Sequence, residues 1–210
     1  MALLLCFSLS AMSQSSSQNN EPDPDKQLEV TEALFKCLTE MTRSSTGAFF
    51  VDNMLGDIDA TAAVANSETG GEYPVGSLVS LIPTEVMIKH REGWNETTND
   101  WEFFELTVSE EGSEIAVRGT TEVVNRFGGN CFGCHMLARS EWDLICGTGH
   151  GCTPLPIDRE TIANMQNGDP RCIKQDSLNN HYACRFQFGD RQASEPSLHP
   201  GSGHPSWHKH

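Results

Sequence analysis

Trp101-Glu102-Phe103-Phe104-Glu105-Leu106-Thr107-Val108 is apolar on both faces of an extended chain. Successive side chains of a strand point to opposite sides, so Phe104, Leu106 and Val108 share one face while Trp101 and Phe103 share the other. Such a strand needs cover on both faces at that end. Outward from it, a period of two recurs over Gly76 to Ile82, Glu85 to His90 and Glu114 to Arg118. Pro83-Thr84, the polar segment Gly93 to Asp100, and Glu111-Gly112-Ser113 punctuate these runs. Connections this short make the sheet antiparallel. Glu85, Glu102 and Glu105 read as a solvated strand face, with proton relay in an open pocket as the alternative.

Around the strands the period lengthens. From Lys26 to Arg43, Val30, Leu34, Leu38 and Met41, with Leu28 and Phe35 beside them, recur every three or four positions and predict a core-facing amphipathic helix. A second helical stretch is expected from Phe49 to Ala65, ahead of Gly70-Gly71. After Gly128-Gly129, residues Asn130 to Leu137 read as a short helix. Asp158 can N-cap another that runs to about Gln166 and stops at Gly168 and Pro170. The fold class is α+β, a small antiparallel β-sheet packed with helices, with a cysteine-rich C-terminal extension.

The chain has 210 residues, enough for one domain with tails. Lys and Arg number 14 against 29 Asp and Glu, a formal charge of −15. Nucleic acid is excluded as a partner, because phosphate neutralisation needs clustered basic residues. The uncharged, mostly apolar run Met1 to Ala11, then Ala11-Met12-Ser13 in small-x-small form, reads as a secretory signal peptide over 1–13. A lipid anchor at Cys6 is the runner-up. No later segment offers roughly 18 consecutive apolar residues, so no membrane span is expected. Residues 14–25, rich in Ser, Gln, Asn, Pro and acid, read as a disordered linker. Eight cysteines exceed what a reduced cytosolic domain of this size carries without metal or redox use, and with the leader they point to a periplasmic or secreted location.

Cys131-Phe132-Gly133-Cys134-His135 is Cys-x-x-Cys-His, the attachment signature of haem c. Thiols three residues apart on a helical turn can form thioethers to two vinyl groups of one porphyrin, and the next residue brings an imidazole to the iron. Random placement at this composition gives ~0.01 matches per chain. Competing readings are a zinc site completed by Cys146 or His150, a thioredoxin-like pair, and a plain disulfide. The thioredoxin reading wants a parallel sheet, which the alternating runs do not supply.

Tyr73-Pro74-Val75-Gly76-Ser77, then Asn99-Asp100-Trp101-Glu102-Phe103-Phe104, then Asn130-Cys131-Phe132-Gly133-Cys134-His135 followed by Asp143-Leu144-Ile145, resemble the cytochrome P-460 family in order and spacing. That family includes the beta-type relatives of cytochrome c-prime. The resemblance spans roughly Val51 to Cys146, about half the chain. It implies a homodimer, one covalent haem c with His135 as proximal ligand, and an open or water-occupied distal side. Its enzymes oxidise hydroxylamine or handle nitric oxide, and the cytochrome c-prime relatives bind small gases. In the hydroxylamine-oxidising members a strand lysine is cross-linked to the porphyrin; Leu81 stands at that position here. Lys89 is the nearest substitute, with a solvated or salt-bridged lysine as its expected fate.

Leu81, Met87 and Phe104 are the candidates to line the distal pocket. Met54, Met87 and His90 could instead close the sixth position, as a Met ligand does in electron-transfer cytochromes; Met136, next to His135, cannot reach the opposite side. Of the remaining cysteines, Cys152 and Cys172 bracket the helix from Asp158 and are expected to pair, for about 3 kcal/mol. Cys146 would pair with Cys184 or Cys37, leaving one odd thiol. Residues 26–150 then form the haem domain, 151–184 a disulfide-stapled extension, and 185–210 a flexible tail. His199, His204, His208 and His210 in that tail could bind divalent metal weakly. Asn95-Glu96-Thr97 is a glycosylation sequon. Three functions follow as expectations: an exported monohaem cytochrome binding or converting a small gaseous or nitrogenous ligand; a closed electron carrier serving a basic redox partner; or a non-haem, zinc- and disulfide-stabilised binding module.

Overall fold

A computed structural model describes residues 22–172. The expected signal peptide, Cys6, Cys184 and the histidine tail lie outside the described residues. Six strands form one antiparallel sheet in sequence order: β1 (Thr42–Arg43), β2 (Phe50–Asn53), β3 (Ser77–Ile82), β4 (Glu85–Lys89), β5 (Trp101–Ser109) and β6 (Gly112–Gly119). The alternation that marks β3 to β6 in the sequence places these strands to within a few residues. Pro83-Thr84 turns β3 into β4, with Ile82 opposite Glu85, and Leu81 is the extra residue of a bulge between Ser80 and Ile82.

Both faces of β5 are covered, as its two apolar sets require. Trp101 and Phe103 join Phe49, Val51, Tyr73, Val79, Met87, Val123 and Ile145 in one core. Phe104 and Leu106 join Val30, Phe35, Leu78, Val86 and Ile88 in another, with Val108 packed against it. Helix α1 (Ile58–Ala65) covers the first face through Ile58, Ala62, Val64 and Ala65. The same face receives the short helix α2 (Cys131–His135).

Two expected helices are not formed as read. Lys26 to Arg43 is an irregular strap with two single 3-10 turns, Glu32–Leu34 and Leu38–Glu40, ending in β1. Its backbone groups are taken by distant side chains: Leu28 N donates to His90 Nδ1 at 2.8 Å, Leu38 N donates to Asp169 Oδ2 at 3.0 Å, and Phe35 O accepts from Ser113 and Arg171. Phe49 to Ala65 is β2, a turn, and only then α1. Helix α3 (Arg159–Asn167) begins where expected, Asp158 accepting from Thr161 N at 2.8 Å and Gly168 ending it. Residues 22–25 of the expected linker are held in part, Asp23 N donating to Trp94 O at 2.7 Å.

The cysteine pairing is corrected. Cys172 bonds Cys37 and Cys152 bonds Cys146. The turn Pro170–Cys172 sits against the strap because Arg171, buried with Asp169, donates to Phe35 O, Pro83 O and Ser113 Oγ. That leaves Cys152 beside its near neighbour in sequence. Residues 151–172 thus pack on the sheet: Gln166 Nε2 donates to Ala48 O and to the bulge carbonyl of Leu81.

Candidate haem-attachment site

Asn130 caps α2, its side-chain oxygen accepting from Gly133 N at 2.6 Å. The helix is fastened at its start by Cys131 N donating to Val123 O at 3.0 Å and by a bridge between Val124 and Asn130. The loop between them is organised by Asn125, whose Oδ1 accepts from Phe127 N and Gly129 N while its Nδ2 donates to Glu85 Oε1 on β4. In the sequence Asn125 is marked only by a turn signature, Asn followed by Gly128-Gly129.

Cys131 and Cys134 are free, while the other four cysteines among the described residues are paired. Cys134 is exposed; Cys131 is half-buried, and burial, reinforced by the carboxylates of Glu85 and Glu105, pushes its thiol up to about 12. His135 Nδ1 lies 2.7 Å from the carbonyl oxygen of Leu144. A carbonyl only accepts, so Nδ1 carries the proton and Nε2 keeps its lone pair. Burial holds the His135 pKa down, and the Leu144 bond opposes that only in part. An imidazole kept neutral with Nε2 open is the form that ligates a metal.

The residues fit a covalently attached haem. Two unpaired thiols and a metal-competent imidazole occupy one turn, and Phe103 packs beside the ring of His135, centroids 5.4 Å apart. Large apolar side chains flanking the motif are left out of the core: Val124, Phe127, Met136 and Leu137 are between 48% and 59% exposed.

The zinc reading loses its ligands. Cys146 is in a disulfide, and His150, its ring stacked on Trp142 at 3.6 Å, does not come close enough to Cys131 and Cys134 for the three to share an ion. Among the described residues the trio of metal-ligating side chains close enough to share an ion is Cys37, Asp169 and Cys172, and its two cysteines are bonded to each other.

Of the distal candidates, Met87 lies in the core that α2 covers and Leu81 packs against it. Phe104 does not: its side chain points to the opposite face of the sheet, 5.3 Å from the Phe35 ring. Met54 packs on that opposite face too. His90 is spent at both nitrogens, Nδ1 accepting from Leu28 N and Nε2 donating to Glu102 at 2.7 Å. Glu102 and Glu105 are buried rather than solvated, paired with Arg118 and Arg126 at 2.6 Å each. Asn95 is buried and caps the turn Glu96–Thr98, so its sequon is not presented on the surface.

Asp143 and Lys89 form a buried ion pair, Nζ lying 2.9 and 3.0 Å from the two carboxylate oxygens and 2.8 Å from Asn99 O. Asp143 also accepts from Tyr73 N, Asn99 Nδ2 and Trp101 Nε1. No family model, curated protein or solved structure matches this chain.

Proposed function

We propose that the protein is an exported monohaem c-type cytochrome that binds or redox-converts a small ligand, such as nitric oxide or hydroxylamine, at an open distal haem site. The observation that carries this reading is the single turn holding Cys131, Cys134 and His135, with both thiols free and Nδ1–H donated to Leu144 O so that Nε2 is open. In this reading Cys131 and Cys134 would hold the haem through thioethers and His135 would ligate its iron through Nε2. The bound haem supplies a redox-active iron with a coordination position for the ligand.

The chain's own residues divide the remaining work. Leu144 O holds the imidazole proton, and Phe103 and Phe132 pack the motif onto the sheet. Leu81 and Met87 offer an apolar wall on the same face. All three N–H bonds of Lys89 are used, on Asp143 and Asn99, so it has no amine free for a porphyrin cross-link. That favours reversible ligand binding over hydroxylamine oxidation of the cross-linked kind. The two disulfides fit an oxidising compartment, where haem c is attached. The likeness to the cytochrome P-460 family adds a homodimer and the charge of −15 adds a basic redox partner.

The visible spectrum tests this. Haem that resists acid-acetone extraction is expected from the wild type and lost from Cys131→Ala/Cys134→Ala; a double variant that kept stoichiometric haem would sink the reading. Carbon monoxide should shift the ferrous spectrum. An unchanged spectrum would make the protein a closed electron carrier, with Met87 as its sixth ligand.

A further inference from the structure

The backbone at Asp143 and Leu144 is left-handed, φ 47° and 62°, at two residues that are not glycine. Leu144 in particular gains nothing locally from that conformation, so the surrounding contacts must impose it. They do so through one carboxylate. Asp143 Oδ1 accepts from Lys89 Nζ, Asn99 Nδ2 and Trp101 Nε1, and Oδ2 accepts from Lys89 Nζ and Tyr73 N. The side chains of Lys89 and Asp143 are 3% and 2% exposed. Asn99 itself begins a second left-handed pair, Asn99-Asp100, and its carbonyl accepts from the same ammonium. One lysine therefore ties two strained corners together, and the next carbonyl along, Leu144 O, is the one that meets His135.

We propose that Asp143, clamped by Lys89, is a positioning residue: it turns the Leu144 carbonyl onto His135 Nδ1 and so decides which imidazole nitrogen is left for iron. The inference rests on His135 as the axial ligand. A neutral imidazole in water prefers its proton on Nε2, the tautomer that cannot ligate through that nitrogen. The Leu144 carbonyl reverses the preference before any metal arrives. With iron bound, the same hydrogen bond gives the imidazole anionic character and strengthens it as a donor.

Nitrogen-15 NMR of the full-length chain prepared without haem reads the tautomer directly. The wild type should show His135 with Nδ1 protonated, while Asp143→Asn and Lys89→Met should move the proton mainly to Nε2. Lys89→Met keeps the three uncharged donors of Asp143, so it decides the matter if Asp143→Asn does not fold. Folded variants that retain the Nδ1–H form would overturn the inference. In haem-loaded protein the ferrous iron–histidine stretching band should fall in frequency in both variants, although one removes a negative and the other a positive charge. Shifts of opposite sign would mean that charge, not positioning, is at work. A wild type that takes up no haem would overturn the axial-ligand reading, and the NMR result would still decide the role of Asp143.

Discussion

Glu85 shows how a residue next to the motif can be set by its neighbours. It lies directly opposite Glu105 in the β4–β5 register, and burial, then Glu105, push its carboxyl from an ordinary 4.5 up to about 7, against the opposing pull of Asn125 and Arg126. The folded state therefore holds a proton that the unfolded chain gives up. Stability from this group is fully present below about pH 4.5 and is lost as pH rises through about 7. Glu85→Gln keeps an acceptor for Asn125 and removes the titration. Urea unfolding of the haem-free chain should show the wild type weakening between pH 5 and 8 and the variant staying level, ahead at pH 8 by on the order of 2 kcal/mol. Parallel curves would disprove the assignment. At this same scale the sequence is legible where chemistry fixes local spacing, as at Cys131, Cys134 and His135. The acceptor for His135 is a backbone carbonyl, which carries no residue identity and leaves no mark in the pattern.

An element is legible in the sequence when its own backbone bonds hold it. The strands from β3 to β6 satisfy their N–H and C=O groups with adjacent strands, so alternation suffices to find them. The strap from Lys26 to Arg43 has helical spacing of apolar residues because Val30, Phe35, Leu34 and Met41 all meet the second core. Its amides are claimed by His90 and Asp169, at separations of 62 and 131 residues, and no local pattern reports such partners. The bulge at Leu81 is similar, its carbonyl being capped by Gln166 from α3. The Cys37–Cys172 bond ties the strap down across a sequence separation of 135, whereas the Cys146–Cys152 bond spans only 6. Loop entropy alone gives ~5 kcal/mol for the first and ~2 kcal/mol for the second. Denaturant midpoints should therefore fall about twice as far in Cys37→Ala/Cys172→Ala as in Cys146→Ala/Cys152→Ala. Equal losses would contradict this account.

At the scale of the whole molecule the net charge is the leading feature. An excess of −15 gives the chain a negative field, which favours approach of basic molecules over acidic ones. If the chain is the proposed cytochrome, its electron exchange with a lysine-rich redox protein should slow steeply between 10 mM and 200 mM salt, where the screening length shrinks from about 30 Å to below 10 Å. Stopped-flow rates that ignore salt would place the contact on an uncharged part of the surface.

The bond between Cys37 and Cys172 has a topological consequence as well. All six strands and α1, α2 and α3 lie between those two cysteines, so the chain from Cys37 to Cys172 is a covalent circle. A single cut inside it, whether in the loop before Gly70 or after β6, opens the circle into a line and releases no fragment. Helix α2 stays joined to the sheet it packs against.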